Sequence, residues 1–277
     1  MGLLDRTTLR SLLIPGGVLT LGVVALVYSG WLTLALPAIS FLYYCALLGG
    51  MLLAWRFHSS RSFLSLLVIL LAQQSAVFCS GGPHLLAAAQ LLWVLIPINF
   101  VLIATMHERG FTLESIAPIS LFLFVQTLTA TVLLSAPAAR PSALVPAHHA
   151  PGPLPLPLYS WYILVASAIV LTIRFILTHK PIDSALLWSL CTIVLAIRYQ
   201  EIARTSALFW AATASILAVS IVENSYLLAY HDELTALPSR RAFNDGLLRL
   251  KHPYSIAVVD IDHFKRFNDT YGHDTGD

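Results

Sequence analysis

From Arg10 to Arg56 the chain contains no charged residue at all. A helix crosses a bilayer with about 20 apolar residues. The stretch is too long for one such helix and predicts two, turning near Ser29-Gly30. Composition extends the same reading to most of the 277 residues: 57% are hydrophobic and 11% charged, with mean hydropathy +0.78. Soluble domains carry about a quarter charged residues, so a chain this apolar lacks the polar surface to face water. A secretory leader with Arg6 and Arg10 as its basic end is excluded because apolar character continues through Trp31 to Trp55, past any cleavage site. The net charge of +2 gives no footprint for nucleic acid.

Further spans are predicted at about 62–79, 85–106, 116–136, 161–178, 184–199 and 206–228, which makes about eight. Ser80-Gly81-Gly82-Pro83 reads as a turn, and His107-Glu108-Arg109-Gly110 and His179-Lys180-Pro181 as polar breaks. With an even number of spans, one side carries Arg6, Arg10, Arg56, Arg61, Arg109 and Lys180, and the other Arg140, Arg198 and Arg204. Basic loops stay inside, so both termini are placed in the cytoplasm. Pro137 to Pro157 holds seven prolines and predicts a stiff, extended periplasmic loop. His148-His149 within it reads as a solvated pair, with a metal or pH-sensing role as the alternative. Cys45, Cys79 and Cys191 lie in apolar runs without CxxC spacing and read as buried small hydrophobes.

Glu114, Arg174, Arg198 and Glu223 fall in or beside apolar runs. Near span ends, arginines can snorkel to the interface. Arg174, still followed by Phe175-Ile176-Leu177, has a second reading as the wall of a polar cavity for an anion. Several of the six tryptophans (Trp31, Trp55, Trp93, Trp161, Trp188 and Trp210) sit at span ends, as an interfacial belt requires. No HExxH, GxSxG or Gly-rich nucleotide loop occurs, and no pattern of paired intramembrane acids suggests transport.

Charge density rises at Glu223, so the division is a transmembrane sensor region over 1–222, a connecting signalling helix over 223–231 and a cytoplasmic domain from 232. The last span is expected to run on as helix through His231, since neither Pro nor Gly intervenes. Ser239 reads as an N-cap for a helix over Arg240–Leu250. Tyr254 to Asp260 reads as a buried strand. That strand delivers Asp260 to the start of a further helix. There an acid suits a divalent cation and backbone N–H groups suit phosphate. These residues read equally as a Mg²⁺–nucleotide phosphate site and as an acidic turn capping a helix.

Two blocks carry a family resemblance. Asp232-Glu233-Leu234-Thr235-Ala236-Leu237 with Arg240-Arg241-Ala242-Phe243 resembles the D-x-L-T-G-L-x-N-R-R-x-F entry of GGDEF domains, with Ala236 and Ser239 in place of Gly and Asn. Asp260-Ile261-Asp262-His263-Phe264-Lys265 through Asn268-Asp269, Gly272-His273 and Gly276-Asp277 resembles their D-I-D-x-F-K-x-x-N-D-x-x-G-H-x-x-G-D block. The resemblance covers the final 46 residues, 232–277, and is silent on the membrane part. It implies a diguanylate cyclase, which condenses two GTP into cyclic di-GMP in a homodimer of cytoplasmic domains with Mg²⁺ or Mn²⁺. Carried over by position, Asp260 and Lys265 are the catalytic candidates. Asp260 and the Ile261 carbonyl would hold the metal. His263 and Phe264 would give backbone N–H groups to phosphates, Lys265 would support phosphate charge, and Asn268 and Asp277 would read the guanine.

The implied fold is an all-α polytopic membrane bundle followed by the N-terminal part of an α/β GGDEF (nucleotidyl-cyclase-like, ferredoxin-like) domain, 232–277. The implied place is a bacterial inner membrane, with the bilayer, GTP, a second copy and an unknown sensory ligand as partners. The 277 residues hold no GG[D/E]EF hairpin, nor the inhibitory R-x-x-D motif that in the family lies between Asp277's block and that hairpin. The expectation is therefore a fragment that makes no cyclic di-GMP by itself. Two other classes stay open: a degenerate GGDEF receptor without catalysis, and a transporter or structural membrane protein with a vestigial tail.

Overall fold

The computed structural model describes residues 12–29, 35–79, 85–108, 110–135, 158–199, 202–232, 235, 237–272 and 275, with backbone alone at 79, 85–90, 133–135 and 158. The proline-rich loop with His148-His149 and Arg140, the turn at Ser80–Pro83, Arg109, Ala236 and Asp277 lie outside the described residues. The chain divides into two units, Met1–Asn224 and Ser225–Asp277.

The first unit is helical throughout its described length. Its helices are α1 (Leu13–Tyr28), α2 (Leu36–Arg56), α3 (Ser60–Cys79), α4 (Leu85–Thr105), α5 (Leu113–Ser135), α6 (Leu158–Thr178), α7 (Pro181–Arg198) and α8 (Ala203–Tyr230), the last continuing into the second unit. By length and composition six of them, α2, α3, α5, α6, α7 and α8, are fit to cross a membrane. The other two apolar helices, α1 and α4, are shorter in their fully described parts, Leu13–Tyr28 and Leu91–Thr105. All eight lie where the apolar runs predict spans. Helices are the expected form, because in lipid every backbone polar group must be satisfied within its own segment. Pro97 inside α4 and Pro118 inside α5 fit this setting, where neighbouring helices compensate a missing N–H.

The core is made where α3, α4, α6 and α7 pack on one another, with α2 and α5 against α3 and α1 against α7. Its fully buried side chains include Leu64, Ile69, Phe100, Leu171, Leu186 and Leu217. At Gly50 in α2, an added Cβ would stand 2.9 Å from Leu66 and 3.2 Å from Ala218. The missing side chain is what lets α2, α3 and α8 approach there. The outer faces carry Phe41, Leu48, Leu52, Leu121 and Tyr162, all exposed, as a surface bathed in acyl chains requires.

Three expectations change. Cys45 and Cys191 are exposed rather than buried; in a bundle whose exterior is as apolar as its interior, a thiol is equally at home on the lipid side. Trp93 and Trp210 are core residues at 4% exposure each, while Trp55, at the end of α2 and 58% exposed, keeps the belt position. Arg174 gains a partner that the sequence reading did not name: its Nε donates to Asp183 Oδ1 at 3.3 Å. Arg61 donates to the same carboxylate oxygen, and Thr178 Oγ1 donates to Oδ2 at 2.6 Å. Arg61 Nε also donates to the Ile103 carbonyl at 3.1 Å, and Glu108 Oε1 accepts from both N and Oγ of Ser60 at 2.5 Å. These contacts gather the α2–α3, α4–α5 and α6–α7 connections at one end of the bundle.

In the second unit, α8 runs to Tyr230, followed by α9 (Arg240–Leu247) and α10 (Phe264–Tyr271). The predicted strand at Tyr254–Asp260 carries no regular secondary structure, and no strand is found among the described residues. Val258 and Val259 are 90% and 91% exposed. A strand exists only through hydrogen bonds to a neighbour, and no described segment supplies one.

Candidate functional site

The second unit is built around a tight reversal. Asp232 N–H donates to the Leu237 carbonyl at 2.9 Å and Ser239 N–H to the Tyr230 carbonyl at 2.8 Å, with a bridge between His231 and Pro238. Asp232 Oδ1 accepts from Thr235 N at 3.0 Å and from Thr235 Oγ1 at 2.9 Å. A short acid followed three residues on by Thr is the chemistry of such a turn. Ser239 then caps α9 as predicted. Its Oγ accepts from Ala242 N at 3.4 Å and donates to the Ala229 carbonyl at 2.9 Å. The reversal sets the end of α8 against α9, where Tyr230 Oη donates to Asp245 Oδ2 at 2.6 Å. The Arg241 guanidinium lies 6.0 Å from the Tyr230 ring, and Tyr226 stacks on Tyr230 at 4.4 Å. Sequence reasoning passed over Asp245, because only the reversal brings it to Tyr230.

The candidate site is the turn into α10. Asp260 is exposed, and its Oδ1 accepts from the Ile261 N–H at 2.9 Å. His263 takes the left-handed conformation, φ 57 and ψ 26, at the helix start. The first N–H groups of a helix have no intrahelical partner. Those of Phe264 and Lys265 belong to this set, and at the far end Gly272 N–H donates to the Asn268 carbonyl at 2.8 Å. Asn268 stands three residues beyond Lys265 and four beyond Phe264, on their face of the helix. Its Oδ1 is buried and has no partner. The structure thus brings Asp260, Ile261, His263, Phe264, Lys265 and Asn268 to one turn and the helix it starts; Asp277 is not among the described residues.

The Asp260 carboxylate and the Ile261 carbonyl are hard oxygen donors, the kind Mg²⁺ takes. They fit one side of such an ion. No group of three or more His, Cys, Asp or Glu among the described residues comes together as a complete metal site. What the turn offers by itself is a carboxylate, a carbonyl, open backbone donors and the Lys265 ammonium within one helical turn. That set matches the oxygens of a polyphosphate and a cation between them.

Residues 229–277 match the diguanylate cyclase GGDEF domain. The chain is 43% identical over 63 residues to the diguanylate cyclase DgcP of Escherichia coli strain K12, covering 20% of this chain and 18% of that one. It is 46% identical over 52 residues to the diguanylate cyclase VdcA of Vibrio cholerae, covering 18% and 15%. It is 40% identical over 76 residues to the bifunctional diguanylate cyclase/cyclic di-GMP phosphodiesterase MucR of Pseudomonas aeruginosa, covering 24% and 11%. The match therefore spans less than a fifth of the length of each of these curated relatives. No solved structure matches. The matched segment is joined to a helical region whose apolar helices are compatible with a membrane sensor.

Proposed function

We propose that these residues belong to a membrane-anchored diguanylate cyclase of the bacterial inner membrane. In this reading α1–α8 all cross the bilayer, both ends lie in the cytoplasm, and the membrane region passes an external signal to the GGDEF segment through the end of α8. The observation that carries it is the match at 229–277, with the Asp260–Asn268 turn inside it. Asp260 and the Ile261 carbonyl hold Mg²⁺, which neutralises phosphate charge when bound. The N–H groups of His263 and Phe264 and the Lys265 ammonium hold GTP phosphates. Asn268 and Asp277 read the guanine edge. Two GGDEF domains meet so that each presents one GTP to the other. The unpartnered Asn268 Oδ1 supports the guanine assignment, since a guanine N–H edge supplies the donor it lacks.

The catalytic assembly also needs an acid from a GG[D/E]EF hairpin, and the 277 residues contain none. They are accordingly proposed to make no cyclic di-GMP alone. The test is cyclic di-GMP measured by mass spectrometry in cells expressing either these residues or the complete coding sequence. The complete protein is expected to raise the level, and Asp260→Asn to cut that rise roughly a hundredfold or more. The 277 residues are expected to leave it at background. A complete protein that binds GTP and yields none would instead favour a receptor without catalysis.

A further inference from the structure

We infer that the cavity between α3, α4 and α5 binds a small amphiphile with a single hydroxyl head, such as a medium-chain alcohol, entering sideways from the bilayer. The inference deepens the sensor reading by naming a ligand class for the membrane region. The cavity measures about 30 Å³ and is lined by Val68, Ala72, Ile96, Asn99, Leu123 and Gln126 among others. About 10–15 Å³ admits one water, so there is room for a hydroxyl and the carbon that bears it. Leu91, Leu95, Gln126 and Ala130 also line an adjoining open groove of about 410 Å³. The groove's other walls include Phe122 and Val125, which are 54% and 49% exposed. The groove therefore opens on the outer face of the helices, where an acyl chain can lie.

The polar end is specified by one amide pair. Asn99 Nδ2 donates to Gln126 Oε1 at 2.9 Å, while Asn99 Oδ1 is buried with no partner. Asn99 as a whole is 5% exposed. Two of the three hydroxyls at the cavity are engaged: Ser75 and Thr131 bond each other at 3.1 Å, and Thr131 donates to the Thr127 carbonyl at 2.8 Å. One unpaired acceptor in an apolar lining falls short of the two to four partners that hold a buried water. It suits an occupant that donates a single hydrogen bond and fills the rest of the space with carbon. No charged residue lines the cavity or the groove, which excludes a fatty acid anion or an ammonium head.

The test is photolabelling of the chain in lipid nanodiscs with a diazirine analogue of 1-octanol, with labelled residues located by mass spectrometry. The expected result is saturable labelling of 91–99 and 122–130, competed by 1-octanol roughly tenfold better than by methyl octyl ether, which cannot donate. Asn99→Leu is expected to abolish that discrimination. Ala130→Phe, which fills the groove and leaves the amide pair intact, is expected to lower the labelling. Labelling that never saturates, or that alcohol and ether compete equally in the unsubstituted chain, overturns the inference. If Asn99→Leu does not reconstitute, unchanged saturable labelling in Ala130→Phe overturns it as well. Labelling reads occupancy without catalysis, so its failure leaves the cyclase assignment standing, and a failed cyclase assay leaves the site standing.

Discussion

Asp183 carries the largest burden of any single residue in the bundle. It is fully buried and accepts from Arg61, Arg174 and Thr178, while Arg61 is itself 2% exposed. Removing one member of a buried pair leaves the other charge uncompensated, at about 3–5 kcal/mol. Asp183→Ala is expected to lose stability on that scale in a denaturant titration followed by tryptophan fluorescence. Arg174 keeps a quarter of its side chain exposed, so Arg174→Ala is expected to cost under about 1 kcal/mol. Equal losses from Arg61→Ala and Arg174→Ala would show that the two arginines share the carboxylate evenly. This centre was only half legible in the sequence. Arg61 and Arg174 stand out as charges beside apolar runs, but the predicted seventh span begins at Ser184, one residue past their partner. Asp183 and Arg61 lie 122 residues apart, and no periodicity links positions so distant.

At the scale of elements, the helices were legible because a run of about 20 apolar residues has one stable form in a bilayer. How they pack was not. Lipid-facing and core-facing positions are both apolar, so no amphipathic stripe marks the inner face, and the misjudged burial of Cys45 and Cys191 follows from that. Gly50 tests the packing that hydropathy could not reveal: Gly50→Val forces side-chain atoms against Leu66 and Ala218. It is expected to cost about 1–3 kcal/mol in the same titration, whereas Gly49→Val, with open space around it, is expected to be near neutral. The junction of α8 with α9 offers a second test. Tyr230→Phe removes the hydrogen bond to Asp245, and Ser239→Ala removes the cap of α9 together with its bond to Ala229. Each is expected to raise amide exchange several-fold across 240–247. Unchanged exchange would mean that the reversal at 231–238 holds α9 without them.

At the scale of the whole molecule, the GGDEF segment was legible as motif and only partly as fold. Turn, cap and both short helices follow from local chemistry, whereas a strand depends on a partner that its own sequence does not contain. The run Tyr254–Ile261 shows the consequence. Successive strand residues point to opposite faces, and both Val258 and Val259 are almost fully exposed, so this segment is apolar on two sides, as a strand covered on both faces is. An uncovered apolar strand is a template for pairing with another chain. The 277 residues in detergent are therefore expected to associate through it, and Val258→Lys with Val259→Lys is expected to move them toward a single monodisperse species in size-exclusion chromatography. In a form that carries the remaining strands of a GGDEF domain, the same double substitution is expected to act in the opposite direction. There the strand's neighbours would bury both valines, and two lysines in their place would unfold the cytoplasmic domain and abolish cyclic di-GMP synthesis. Opposite effects of one substitution in the two settings would identify 254–261 as an interior strand of the catalytic domain. A gain in solubility in both would place it at the domain's surface.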